Sequence, residues 1–448
     1  MNNSGAWQMN QIAAVICNYN KSACVTACIQ SVLESKFQAF DIFVVDNAST
    51  DDSVEQIRTL FGDKVTLFVN KENLGGSGGF NTGIRYAVEK GYDYVWCLDN
   101  DVMVDENALG ELYRFMESHP RAGMAGSRVY HMEAPDYVQQ SGIDIIWEEY
   151  CCEAKYCGHP EDGTLPEVVY ADAVAACSIL VRTSVIQQIG PLPEENFLYW
   201  DDTEWGYRCN LAGYQVASVG SSKALHSMGA KKESVNTFPL YYSWRNWIRF
   251  FMKYTPEEKR EDMCAAFLEG IFDVVYNDLY LGEENRAKTV MYAYDDAVHG
   301  VTGKAEDGKI FPVIHREEKL KQIINGRQCI KIYENGLDEQ AEQFKDRVEK
   351  VMEESGAAGR AVMLPGNPYT KEASVELKNE KECTFTMTED IFRVNDLELN
   401  TFYVDAEGRI LAEEEDLFLV INRDYSRKTF VFSQKSLFLQ KCGKQENL

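Results

Sequence analysis

Trp200-Asp201-Asp202-Thr203-Glu204-Trp205 sets two adjacent carboxylates, and a third two residues on, between large aromatic rings. Acids enclosed by that much apolar surface should include one with a raised pKa, which is how a carboxylate becomes a general base. The same residues also suit a plain helix start, where Asp and Thr cap free N–H groups and acids complement the dipole. Taken alone, capping is the more economical account. Asp99-Asn100-Asp101 offers a second chemistry. Carboxylates at i and i+2 beyond a strand project to one side and can hold Mg²⁺ or Mn²⁺, leaving positions free for a diphosphate. His226 is one of six histidines. A lone histidine is most often structural, yet a neutral imidazole here could complete the coordination begun by Asp101.

The elements that must position these residues can be read from the first hundred positions. Ile12–Cys17, Phe40–Val45, Val65–Val69 and Tyr94–Leu98 read as strands. Ala23–Ser35, Ser53–Leu60 and Asn81–Lys90 read as helices between them. That alternation predicts an α/β fold with a parallel, doubly wound sheet, whose ligands bind beyond the carboxyl ends of the strands. Asn18 and Asn20, Asp46 and Asn47, and Asp99-Asn100-Asp101 all fall at such ends and are expected to share one site. Between strand and helix, Asn73 to Gly83 packs four glycines into the five positions 75–79, read as a loop that lets backbone approach a ligand. It does not fit the dinucleotide fingerprint, because Asn81 stands where the third glycine belongs. The phosphate-loop pattern fails too, since Ala305 follows Gly303-Lys304 and position 298 is Val298.

Composition narrows the classes. A net charge of -26 argues against general nucleic-acid binding. Hydrophobic content of 45% over 448 residues is globular and sufficient for two or three domains. Thirteen cysteines without a Cys-x-x-Cys pair, behind a polar Met1–Gln11, suggest reduced thiols in a cytoplasmic protein. Residues 241–254 are aromatic and locally basic, which fits either peripheral contact with the inner membrane face or a core-facing helix with snorkelling cations. The organisation expected is 1–238 as the α/β domain, 239–316 as a helical extension and 317–448 as a small α/β or α+β domain. In that last part Cys329–Tyr333, Ala361–Leu364, Cys383–Met387, Thr401–Val404, Leu417–Asn422 and Thr429–Ser433 read as strands, with Asp338–Glu354 as a helix.

Together and in this order, these motifs resemble a family 2, GT-A-fold (Rossmann-like, mostly parallel) inverting glycosyltransferase over roughly Gln11 to Tyr254. The resemblance implies a nucleotide-diphosphate sugar donor and a glycan or lipid-linked glycan acceptor, in cell-surface polysaccharide synthesis. It makes Val44 to Asp51 the nucleotide loop, with Asn18, Asn20, Asp46, Asn47, Asn73, Gly75, Gly76, Asn81 and Asn100 toward the donor. Asp99, Asp101 and His226 become metal ligands, and Asp202 the base. Trp200, Asp201, Glu204 and Trp205 face the acceptor, with Glu204 equally open to a capping role. Asn73 to Phe80, Trp200-Asp201-Asp202 and His226-Ser227-Met228 are closest to bacterial galactofuranosyltransferases, which favours a UDP-galactofuranose-like donor. Rhamnosyltransferases using a dTDP-rhamnose-type donor share much of the pattern. Asn100 departs from the third acid of the polymerising galactofuranosyl enzyme, so donor identity does not transfer with the motif. The rivals are a nucleotidyltransferase, weakened because residues 17–24 hold only Lys21 as a cation, and a non-catalytic glycan-binding or scaffold protein. The region beyond 317 carries no recognisable family motif and leaves acceptor binding, homo-oligomer formation and contact with assembly partners open.

Overall fold

The computed structural model describes residues 12–227, 236–280, 283–313, 318–356, 359–366, 381–394, 401–412 and 414–442. The polar segment 1–11 and Met228 lie outside them. β1 (Ile12–Asn18) explains why the sheet runs through the centre. Ile12, Ala14 and Ile16 enter one apolar cluster, Ala13 and Val15 another, and all five are fully buried. A strand apolar on both faces needs helices on both faces, the condition of a parallel sheet. α1 (Ser22–Leu33), β2 (Phe40–Asp46), α2 (Ser53–Phe61), β3 (Thr66–Val69), α3 (Gly75–Lys90) and β4 (Tyr94–Asp99) follow in alternation. β3, β2, β1 and β4 lie side by side, all parallel. Strand order reverses around β1, and register sets Asn18 beside Asp46 and Cys17 beside Asp99. The polar strand ends therefore converge at the switch point, where such sheets bind ligands.

The sheet grows to ten strands with β5 (Val102–Val104), β6 (Ala122–His131), β7 (Ala134–Gln140), β10 (Val168–Ala171), β11 (Ser178–Arg182) and β12 (Gln215–His226). The hairpin β8 (Ile143–Ile146) with β9 (Cys151–Ala154) stands apart as a two-stranded sheet. Helices α4 (Ala108–Ser118), α5 (Thr183–Ile189) and α6 (Asp201–Leu211) pack against the large sheet. The last residue of β12, His226, pairs with Val102 of β5, which delivers a distant histidine to the carboxylate motif.

α7 (Phe238–Tyr254), α8 (Arg260–Tyr280) and α9 (Glu284–His299) form a helical layer. The membrane reading of 241–254 is corrected here. Tyr241, Tyr242, Arg245, Ile248, Phe250, Phe251 and Met252 are all buried, so the aromatic surface of α7 is spent in the core. Among the described residues no helix is long and apolar enough to cross a membrane.

A second sheet follows from α10 (Glu318–Ile324), β13 (Cys329–Tyr333), α11 (Asp338–Ser355), β14 (Arg360–Leu364), β15 (Glu382–Thr388), β16 (Thr401–Asp405) and β17 (Ile410–Leu411). Its order is β14-β13-β15-β16-β17, parallel except for β17. The strands expected at 417–422 and 429–433 are wrong: both lie within one helix, α12 (Glu414–Lys441). Runs such as Phe430-Val431-Phe432 look strand-like, but burial of Phe438 and Cys442 with α8 and α9 settles the period as helical.

Candidate active site

Asp99, Asp101 and His226 each offer a ligand atom, and these atoms lie within 4.8 Å of one another. His226 Nε2 stands 3.3 Å from Asp101 Oδ1 and 3.8 Å from Asp99 Oδ2. Two hard carboxylates and an imidazole suit Mg²⁺ or Mn²⁺, so the residues fit a divalent cation. The imidazole is aimed from behind, because its Nδ1 meets Gln139 Oε1 at 2.8 Å. Burial pushes Asp99 above the ordinary carboxylate range, and the negative charge of Asp101 adds to that. Burial works the same way on Asp101, but the hydrogen bond from His226 and the ammonium of Lys21 outweigh it and hold Asp101 low. A cluster with surplus negative charge around one point is a cation site by electrostatics as well as by ligand type.

Asn100 donates to Asn18 Oδ1 at 2.8 Å, and Asn18 donates to Asp46 Oδ2 at 3.0 Å. Asp46 Oδ1 accepts the N–H of Ser49 at 2.9 Å. These three residues form a buried hydrogen-bonded spine across β4, β1 and β2 that fixes the spacing of the strand ends. Asn20, exposed, shapes the rim by accepting the Thr50 N–H.

Several residues expected to face the donor are tied into the fold by their own hydrogen bonds. Asn47 is buried and ties Asn73, Gly75 and Leu74 to β2 through both ends of its amide. Asn81 is fully buried and clasps the backbone of Leu192. Asn73 is turned to the same task, accepting the Gly75 N–H at 2.8 Å. The glycine run is not a loop, because α3 begins at Gly75. Gly75 has φ +76°, and a Cβ there would collide with the carbonyl of Phe197. A Cβ on Gly83 would stand 2.5 Å from Val15 Cγ1. The glycines bring α3 against β1 and against the segment before α6. A Cβ on Gly76 would stand 3.1 Å from Leu198 Cδ1, 3.9 Å from Phe197 O and 4.0 Å from Asp201 Oδ2.

That segment carries the opening acids and is strained. Phe197, Tyr199 and Trp200 have φ of +65°, +63° and +64°. Leu198 N–H reaches Asn196 O at 2.7 Å, which makes Phe197 the centre of a tight three-residue turn. Such conformations cost about 1–3 kcal/mol each and persist only where surroundings enforce them. The enforcement comes from α7: Asn246 and Arg245 donate to backbone carbonyls of Asn196, Leu198 and Tyr199. α6 then starts at Asp201. Asp201 Oδ2 accepts the Ser77 hydroxyl at 3.0 Å. Asp202 accepts the Thr203 N–H at 2.7 Å and the Ala176 N–H at 3.4 Å. Burial, then the charge of Asp202, raises Asp201, and burial raises Asp202 against those backbone donors. The charge of Asp202 in turn bears on Asp99 and adds to the rise of its pKa.

Two acceptor assignments are corrected. Trp205 is fully buried, and its indole N–H donates to Gly190 O at 3.0 Å. Glu204 is buried beneath α6, paired with Lys253 at 2.7 Å and bonded by Tyr254 and Asn196. It neither caps the helix nor faces an acceptor. Trp200 is half-buried against Phe250, at 5.4 Å between ring centres. Sequence reasoning missed Lys21, Ser77, Gln139, Arg245 and Asn246. Of these only Lys21 left a signal, as the one cation within residues 17–24. All thirteen cysteines are free, as reduced thiols require.

A family model described as "Glycosyl transferase family 2" matches residues 13–161. The chain is 23% identical over 306 residues to dTDP-rhamnosyl transferase RfbF of Shigella flexneri, covering 66% of this chain and 97% of that one. It is 29% identical over 117 residues to poly-beta-1,6-N-acetyl-D-glucosamine synthase of Staphylococcus aureus, of which it spans 28%, against 26% of itself. Among solved structures, GalNAc-T7 with UDP, GalNAc and Mn²⁺ aligns with a TM-score of 0.46 at 14% identity, over 58% of this chain and 51% of that one. S. aureus TarS 1–349 aligns with a TM-score of 0.37 at 13% identity, over 69% and 97%.

Proposed function

We propose that this chain, in which residues 13–161 form a family 2 glycosyl transferase domain, is a metal-dependent inverting glycosyltransferase of cell-surface polysaccharide assembly, working in the cytoplasm. The observation that carries the proposal is the convergence of Asp99, Asp101 and His226 at the sheet's switch point, with Asp202 near enough for its charge to bear on Asp99. A divalent cation held by that trio would neutralise the negative charge of a departing nucleoside diphosphate. Asp202 takes the proton from an acceptor hydroxyl as that oxygen forms its bond to the anomeric carbon. The bond from that carbon to the diphosphate oxygen breaks on the opposite face, and configuration inverts. Burial raises the proton affinity of Asp202, which is what a base acting on an alcohol requires. Ser77 and the clamped segment 197–200 hold Asp201 and Asp202 in place, so the acceptor meets a preset carboxylate.

For the donor, similarity running along 97% of RfbF favours a dTDP-rhamnose-type sugar. The galactofuranosyl reading rests on local motifs alone, and a UDP-galactofuranose-like donor is the second candidate. A panel of dTDP- and UDP-sugars, scored for metal-dependent nucleotide release, separates them. Asp202→Asn is expected to abolish transfer while leaving donor binding nearly intact. Transfer at the wild-type rate by that variant would rule out the assignment.

A further inference from the structure

We infer that Lys21 stands in for the divalent cation at Asp101 and, on giving way to it, carries its charge to the diphosphate of the donor. The inference rests on the glycosyltransferase reading above. Lys21 Nζ lies 2.5 Å from Asp101 Oδ2, while Asp101 Oδ1 faces His226 Nε2 at 3.3 Å. Each oxygen of the carboxylate thus already faces a nitrogen; His226 can stay as a co-ligand of a metal ion, whereas the Lys21 ammonium has no lone pair to offer and competes with it.

Lys21 is the one built to leave. The His226 side chain is 18% exposed and is held through Nδ1 by Gln139, whereas the Lys21 side chain is 43% exposed. The Lys21 backbone is fixed. Asn20 N–H donates to Ser49 Oγ at 2.9 Å, Asn20 Oδ1 accepts the Thr50 N–H at 2.7 Å, and Lys21 O accepts the Val25 N–H at 2.9 Å. Displacement therefore swings the ammonium on its four-carbon stem about a pinned Cα, beyond the carboxyl ends of β1 and β4.

Charge sets the order of events. A divalent ion beside the ammonium meets repulsion, so metal alone binds below the strength its ligands permit. An arriving diphosphate attracts both cations and removes that conflict. Lys21 thereby couples metal to nucleotide, and the coupling is reciprocal by linkage.

The test measures Mn²⁺ binding to the full chain by the EPR signal of free Mn²⁺, without nucleotide and with UDP or dTDP. Lys21→Met is expected to bind Mn²⁺ alone roughly two- to fivefold more tightly, the range of a partly exposed ion pair. With Mn²⁺ saturating, the same variant is expected to bind the nucleoside diphosphate about tenfold more weakly, the size of a charge-assisted hydrogen bond. Lys21→Arg should fall between variant and wild type in both. Unchanged or weaker Mn²⁺ binding by Lys21→Met, with the fold intact by circular dichroism, overturns the inference. Tighter Mn²⁺ binding with unaltered nucleotide affinity overturns its second half. Wild-type Mn²⁺ binding by Asp101→Asn would instead show that the cation site itself is misassigned, and the inference would fall with it.

Discussion

Asn246 of α7 donates its side-chain amide to the carbonyl oxygen of Leu198 at 2.8 Å, and the same amide serves Asn196 and Tyr199 on either side. Arg245 Nε donates to Asn246 Oδ1 at 3.0 Å, which fixes the amide's orientation. Asn246, with Arg245, thus braces a segment in which Phe197, Tyr199 and Trp200 hold positive φ immediately ahead of the candidate base. Asn246→Ala leaves the part-buried carbonyls of Leu198 and Tyr199 unmet, at a cost of about 1–3 kcal/mol. Because the loss falls on the segment that aims Asp202, kcat should drop by roughly 10- to 100-fold while the KM for donor changes little. Steady-state kinetics beside thermal melts decide it. A fall in melting temperature with unaltered kcat would mean the clamp only stabilises the fold.

The proposed cation site depends equally on a residue outside it. Gln139 accepts from His226 Nδ1, which leaves Nε2 to turn its lone pair toward a metal. Partners of this kind typically alter metal affinity or activity by about 10- to 100-fold. Gln139→Leu should therefore raise the Mn²⁺ concentration needed for half-maximal transfer, with activity recovering when metal is saturating. His226→Ala should not recover. Chelation by EDTA should silence the wild type reversibly, and transfer that survives EDTA would remove the metal from the mechanism.

The strand-end acids were legible because strands have a two-residue period and end abruptly in polar residues, so Asp46, Asp99 and Asp101 announce their position. The clamp was not legible: Asn246 reaches its carbonyls across 48 residues of sequence to Leu198, and nothing local to α7 marks it out. The glycine run was seen but misassigned. Glycine permits close approach of any kind, and sequence does not say whether a ligand or β1 is the neighbour. Trp205 failed for a related reason, since an indole between acids reads as a sugar platform until its burial is known. In α12 the apolar runs were long enough for either period, and only the helices packed against it decide between them.

Proton affinity gives a prediction with a definite sign. Burial, then the charge of Asp202, moves Asp201 from its ordinary 3.8 to about 7. The stability this proton confers is fully present below the unfolded value and is lost as pH rises through the folded one. Wild-type melting temperature should therefore decline across roughly pH 4 to 7, and Asp201→Asn should flatten that decline. Asp201 still holds its proton while Asp202 ionises, so the same variant should leave the acid limb of the kcat/KM profile in place. An acid limb that moves to lower pH would show that Asp201 is charged when Asp202 titrates.

The packing of α3 on β1 can be tested by a paired substitution. A Cβ at Gly83 would stand 2.5 Å from Val15 Cγ1 and 3.2 Å from Val45 Cγ2, both on the parallel sheet. Val15 is fully buried, so its side chain has nowhere to retreat, and α3 must lift. Gly83→Ala should lower stability by about 1–3 kcal/mol, the usual range for overpacking a core, despite the better helix propensity of alanine. α3 also carries Ser77, which bonds Asp201, so lifting the helix should loosen the acid pair and depress kcat as well. Val15→Ala alone opens a cavity and destabilises in its own right. Joined to Gly83→Ala it makes room for the new methyl group, so the double variant should be more stable than the sum of the two losses predicts. Strict additivity would show that the helix does not press on the strand at this point. Recovery of kcat in the double variant would tie the position of α3 to the aim of the catalytic acids, and recovery of stability alone would separate them.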